Sequence, residues 1–149
     1  VTPDLLWLRR AVELSRLCPV SETAFAVGAV VVGADGRELA TGYSRETDPL
    51  DHAEETALRK LRGVNLRDAT IYSSLEPCSR RASHPRTCAE LILEAGIPRV
   101  VYALREPPVF VEGDGAALLT ACGVQVVHLE DLADEVRRIN AHVLSGHLG

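Results

Sequence analysis

The sequence predicts an α/β protein, a three-layer α/β/α sandwich around a mixed five-stranded sheet. Three observations carry that expectation. Short apolar runs rich in Val, Ile and Ala alternate with segments whose apolar residues recur at helical spacing, the pattern of strands buried between helices. One pair of runs is joined by a tight Asp35-Gly36 turn, which places an antiparallel hairpin at the edge of the sheet. The other connections are helical, as parallel strands require. At 149 residues, one domain over 1–149 with a continuous core is expected.

Taken in order, Thr2-Pro3-Asp4 reads as a helix start, with Thr2 as N-cap and Pro3 in the first turn. Leu5, Leu8 and Val12 follow at helical spacing, and the helix should end near Cys18-Pro19. Residues 25–33 are almost continuously apolar, as in a strand covered on both faces, and 38–43 should return beside it. Ala53, Ala57, Leu58 and Leu61 mark a second helix, with Gly63 suited to its C-terminal cap. A third strand is expected over 69–74, and a third helix carrying Cys88, Leu91, Ile92 and Leu93 up to Gly96. Strands at 99–104 and 124–129 flank a helix over 113–122. A last helix begins near Glu130 and buries Leu132, Val136, Ile139 and Val143.

Composition narrows the partners. A net charge of −5 argues against a phosphate-backbone binder, and one Trp, three Tyr and two Phe leave little for base stacking. Nucleic acid is disfavoured and a small-molecule substrate favoured. No leader pattern or apolar run of membrane length is present, so the expected address is the cytoplasm. Of the four cysteines, Cys18 and Cys122 read as small buried hydrophobes.

The other two, with His52, form the chemical centre of the sequence. One imidazole (His52) and two thiols (Cys78 and Cys88) suit zinc, which accepts nitrogen and sulfur ligands. Three protein ligands leave a position for water, the mark of a catalytic site, and Glu54 lies two residues past the histidine. Each residue also has a plain alternative: a helix-cap histidine, two core thiols, a first-turn acid on a helix dipole. A structural zinc would want a fourth protein ligand. His84 is the nearby candidate, and it reads better as a loop residue or substrate contact.

The stretches His52-Ala53-Glu54 and Glu76-Pro77-Cys78, with Cys88, resemble the signature of the zinc-dependent cytidine-deaminase superfamily. Within it, the chain looks closest to the deaminase domain of the bifunctional riboflavin-biosynthesis enzymes. The similar segments are Phe25-Ala26-Val27-Gly28-Ala29-Val30-Val31-Val32, Gly42-Tyr43, His52-Ala53-Glu54 with Ala57-Leu58, Glu76-Pro77-Cys78-Ser79, Ala95-Gly96-Ile97-Pro98-Arg99-Val100, and a tail in which Gly113, Gly115, Leu118 and Leu119 precede Gly123-Val124 and Asn140 closes the last helix. The resemblance implies a cytidine-deaminase-like fold with one zinc per chain on His52, Cys78 and Cys88. It also implies hydrolytic deamination, with Glu54 moving the proton and the Cys78 amide facing the reacting oxygen. Ala24, Phe25, Ser44, Ala53, Glu76 and His84 fall where such enzymes meet substrate, and a homodimer or homotetramer is expected. On the same ground the domain is expected to stand alone, without a reductase domain.

The sequence departs from the family pattern at a substrate Asn, here Ala24, and at a His, here Ser44. The inter-cysteine stretch is one residue longer and carries Arg80, Arg81 and Arg86, which either bind phosphate or form a solvated loop. The leading expectation is deamination of a cytosine-type or related aminopyrimidine base, nucleoside or nucleotide. The alternatives are the riboflavin-pathway diaminohydroxyphosphoribosylaminopyrimidine deaminase and a non-catalytic zinc-stabilised scaffold.

Overall fold

The computed structural model describes residues 3–21, 23–78, 86–105 and 115–143. Helix α1 (Pro3–Ser15) precedes the hairpin β1 (Gly28–Val32) and β2 (Glu38–Tyr43). Then come α2 (Ala53–Arg59), β3 (Thr70–Leu75), α3 (Cys88–Ala95), β4 (Arg99–Leu104), α4 (Gly115–Ala121), β5 (Gln125–His128) and α5 (Ala133–Ile139). The sheet order is β2-β1-β3-β4-β5. β3, β4 and β5 are parallel, and β1 is antiparallel to both its neighbours, so β1 alone runs against the rest. The expected mixed five-stranded sandwich is what forms.

Helices cover both faces. α1 and α5 touch each other on one side of the sheet, whereas α2 meets α3, and α3 meets α4, on the other. Two glycines set how closely the layers approach. A Cβ on Gly28 would lie 1.9 Å from the Ala11 carbonyl oxygen in α1, and one on Gly42 would lie 2.3 Å from the Ala53 carbonyl oxygen in α2. Any side chain there would force a helix off the sheet. Every residue of β1 is buried, as its apolar run predicts, and Leu8, Val30, Ile71, Ile92, Val100 and Leu119 are sealed from solvent.

Four expectations need correction. The first strand starts at Gly28, not at 25, because most backbone groups of 25–27 bond to side chains, with only the Val27 carbonyl accepting from the Ser44 backbone amide. The cap of α2 is Lys60, with Gly63 closing the following turn at φ 83°. A 3-10 turn, Glu130–Leu132, comes before α5. Cys122 is exposed where α4 has ended and the chain turns, while Leu119 takes the core position; Cys18 is half-buried, its thiol 3.5 Å from the Val27 carbonyl oxygen. The proposed cap at Thr2 lies outside the described residues. Gly96 caps α3 as expected, at φ 79°.

Candidate metal centre and active site

β3 delivers the chain into Glu76-Pro77-Cys78 at its carboxyl end, where ligands gather in sheets of this kind. The opposing elements are two helix starts. His52 is the N-cap of α2, with extended backbone (φ −88°, ψ 160°), and its N–H donates to Glu55 Oε1 at 3.2 Å. Thr87 caps α3 by accepting from the Glu90 amide at 3.2 Å, which places Cys88 in the first helical position. Both helix starts present their positive ends to the same spot, where thiolates are stabilised.

Three side chains converge there. His52 Nδ1 lies 3.2 Å from Cys88 Sγ and 3.6 Å from Cys78 Sγ, and all three donor atoms fall within 4.8 Å of one another. Tetrahedral zinc with ordinary bond lengths to nitrogen and sulfur sets such donors about 3.6 Å apart. The soft donor set and its spacing therefore fit zinc. The Cys88 amide donates to Cys78 Sγ at 3.2 Å, and the Cys78 carbonyl accepts from the Ala89 amide at 3.0 Å. Hydrogen bonding from Cys88 holds the Cys78 thiol well below its ordinary pKa, burial opposes this, and His52 reinforces it. Among the described residues this is the one cluster of its kind.

Support reaches one layer further out. Asp51, 3% exposed, receives both arms of the Arg59 guanidinium, at 2.9 and 3.0 Å, and a bond from the Thr47 hydroxyl. That fork fastens the residue before His52 to the far end of α2. Glu54, in the first turn of α2, is 3% exposed, so it is no solvated helix-dipole acid. Ala53 opens α2 with its amide at the positive end.

The segment before β1 lies at the same edge. The β1–β3 pairing matches Ala29 with Ser73, so residues ahead of Gly28 continue alongside the stretch leading to Cys78. Its backbone is held almost entirely by side chains. The Ala24 amide donates to Ser21 Oγ, and the Phe25 carbonyl accepts from Arg45, whose own backbone is left-handed at φ 60°. Asn140, fully buried at the end of α5, accepts from the Ala26 amide at 2.7 Å and donates to the Ala26 carbonyl at 3.2 Å. Ser44 accepts from the Val27 amide, and Ser74 from the Gly28 amide.

The residues singled out from sequence thus divide. His52, Cys78 and Cys88 come together with Glu54 beside His52, and Ala24 and Phe25 sit half-buried in the adjoining segment. Ser44 is buried and engaged with Val27, which makes it a brace for that segment. Glu76 is buried with its carboxylate on the Ala116 amide at 2.9 Å. Arg86, just ahead of α3, pairs with Glu94 of that helix, and His84, Arg80 and Arg81 lie outside the described residues. Asn140, expected only to close the last helix, is the C-cap of α5 and also holds the segment before β1; an amide within the apolar stripe of Val136 and Val143 was a signal, since such a group must find partners inside.

A mixed α/β/α sandwich with an imidazole and one thiol at two helix starts, a second thiol past the end of a strand, and a buried carboxylate two residues past the imidazole, defines the class of zinc-site folds that includes the hydrolytic deaminases. A family model for the cytidine and deoxycytidylate deaminase zinc-binding region matches residues 2–104, and the chain belongs to that family. It is similar to the diaminohydroxyphosphoribosylamino-pyrimidine deaminase of Schizosaccharomyces pombe, 36% identical over 136 residues, or 89% of this chain and 33% of that protein. Against the riboflavin biosynthesis protein RibD of Escherichia coli it is 39% identical over 103 residues, 68% of this chain and 27% of that one. The chain spans about a third of the length of such curated relatives.

Among solved structures, the bifunctional diaminohydroxyphosphoribosylaminopyrimidine deaminase and uracil reductase of Thermotoga maritima superposes with a TM-score of 0.83 at 33% identity, over 98% of this chain and 41% of that one. The Rib2 deaminase of Aspergillus oryzae, in complex with DARIPP, gives 0.82 at 25% identity, over 93% and 90%.

Proposed function

We propose that this chain is a zinc-dependent aminohydrolase that replaces an exocyclic amine of an aminopyrimidine-type ring by a carbonyl oxygen and releases ammonia. The carrying observation is the burial of Glu54, in the first turn of the helix whose cap, His52, is one of the three converging donors. A carboxylate out of water there can take a proton from the attacking water, hold it on Oε, and pass it to the ring nitrogen and then the departing amine. Zinc, held by His52, Cys78 and Cys88, supplies an acidified water when bound. The amides of Ala53 and Cys78 lie at the same helix and strand ends and suit the substrate carbonyl and the reacting oxygen.

The test is ammonia release across cytosine, cytidine, dCMP, other aminated rings and the riboflavin-pathway aminopyrimidine, with Glu54→Gln alongside. The expected result is turnover by the natural chain and a fall of about 10²–10⁴-fold in Glu54→Gln at unchanged zinc content. Full turnover by Glu54→Gln would remove the proton-shuttle role, and no release from any ring would leave the scaffold reading in its place.

Two readings of the ring remain, each with its own support. The relatives named above favour the riboflavin-pathway aminopyrimidine ribonucleotide. Ala24 and Ser44, which replace polar family residues, favour a ring with fewer polar contacts, of cytosine type. The same panel separates them. A cytoplasmic homodimer or homotetramer acting as a single domain completes the proposal, with light scattering of the purified chain as its check. Among the described residues no helix is long and apolar enough to cross a membrane.

A further inference from the structure

Cys78 is braced from two sides, and the second brace comes from the far end of the chain. Gly115, the first residue of α4, sits so tightly on the Pro77-Cys78 peptide that a Cβ there would lie 1.7 Å from the Pro77 carbonyl oxygen and 2.9 Å from its carbon. Its φ is outside the left-handed region, so the need for glycine is one of space alone. The next residue closes the contact, for the Ala116 amide donates to Glu76 Oε2 at 2.9 Å. Glu76 is 4% exposed; its amide donates to the Leu104 carbonyl at 2.9 Å, and its other oxygen lies 4.0 Å from Arg105 Nε. The carboxylate thereby joins the ends of β3 and β4 to the start of α4.

We infer that Gly115 and Glu76 are positioning residues for the metal: together they set the height of the Pro77-Cys78 peptide, and with it the place of Cys78 Sγ. The inference rests on the metal centre proposed above but not on the reaction. Magnitude makes the case. Real Cβ contacts essentially never fall below 3.0 Å, so an added methyl must part the peptide and α4 by about an ångström or more, in an interior that packs with few voids. Metal–ligand distances tolerate about 0.2 Å. A displacement several times that tolerance at one of three ligands must reach the ion. Beside the substrate contact first expected for Glu76, its hydrogen bond to the Ala116 amide supports this positioning role.

The experiment is equilibrium competition for zinc between a chromophoric chelator and the full chain, with folded fraction measured in parallel. The variants are Gly115→Ala, Glu76→Ala, Glu76→Gln and Gly28→Ala. Gly28→Ala is the control, because it makes an equally severe clash, 1.9 Å from the Ala11 carbonyl oxygen, on the opposite face of the sheet. Per folded molecule, Gly115→Ala and Glu76→Ala should bind zinc about 10–100-fold more weakly, the usual range for supports of metal ligands. Glu76→Gln, which keeps an acceptor for the Ala116 amide, should lose less, and Gly28→Ala should stay within about twofold despite a lower melting temperature. Zinc affinity of Gly115→Ala within twofold of the natural chain would overturn the inference, as would an equal loss in Gly28→Ala. If Gly115→Ala does not fold, Glu76→Ala decides by the same limits. A natural chain that binds zinc no better than Cys78→Ala overturns the metal centre and this inference together. Normal zinc binding without ammonia release refutes only the proposed reaction.

Discussion

Replacing Asn140 tests whether the segment ahead of β1 is held by hydrogen bonds or merely by packing. The side chain is fully buried and makes three bonds: from the Ala26 amide at 2.7 Å, to the Ala26 carbonyl at 3.2 Å and to the Val136 carbonyl at 3.1 Å. Val136 keeps a bond from the Asn140 backbone amide, so the loss falls on the two polar groups of Ala26. Each buried group left without a partner costs about 1–3 kcal/mol. Asn140→Leu, which keeps the volume but removes the polar atoms, should therefore cost about 2–6 kcal/mol. For a chain of this length that is a fall in melting temperature of about 6–18 °C. Asn140→Ala adds a small cavity and should be somewhat worse. Urea unfolding and calorimetry of both variants measure the effect. If Asn140→Leu stays within about 0.5 kcal/mol of the natural chain, the segment is packed and not bonded, and the reasoning fails.

Further outcomes follow from the same contacts. Arg59→Ala removes the fork on buried Asp51; because Arg59 is 43% exposed and water can partly replace it, the cost should be about 1–2 kcal/mol. Arg59→Lys should recover less than half, since an ammonium cannot make both bonds, and full recovery in a melting assay would show that charge alone matters. Cys88→Ala should lower zinc below one per chain in elemental analysis; undiminished content would exclude Cys88 as a ligand. Asp4, which bonds Arg99 at 2.8 and 2.6 Å and accepts from the Tyr72 hydroxyl at 2.6 Å, has its pKa lowered, first by Arg99 against the opposing effect of burial. A depressed carboxyl stabilises the fold above its unfolded value, about 3.9, and that contribution is lost as pH falls through the lower folded value. Asp4→Asn should therefore lower stability by about 1 kcal/mol at pH 7, with the gap narrowing in unfolding curves as pH falls below about 3.9; a gap independent of pH would show another origin.

What could be read in advance was what periodicity and local chemistry encode. β4 falls at 99–104 as expected and α3 ends at Gly96, because an apolar run and a glycine with left-handed backbone act over a few residues. His52, Cys78 and Cys88 could be grouped because each stands where a strand ends or a helix begins, and those places meet in this kind of sheet. The start of β1 could not be placed, since the partners that pull 25–27 out of the ladder lie at 44, 45 and 140. Glu76 and Ser44 illustrate the same limit. A family position marks where a residue stands, whereas its partner, an amide at 116 or at 27, is supplied by tertiary contact. Gly115 was visible only as a pattern, because the lack of space that requires it belongs to the Pro77 carbonyl.

The anchors on the 24–27 segment grip main-chain atoms, and this separates the scaffold from its decoration. Ser21, Arg45, Asn140 and Ser44 would hold the same atoms whatever side chains stood at 24 and 25. On the proposed function, two codons could thus be rewritten to change the contour and polarity of this segment while His52, Cys78, Cys88 and Glu54 stay registered, a division of labour by which such enzymes could diverge in diet without redesigning their machinery. Ala24→Asn should accordingly leave the melting temperature within about 1 °C and shift only the relative rates across the ring panel.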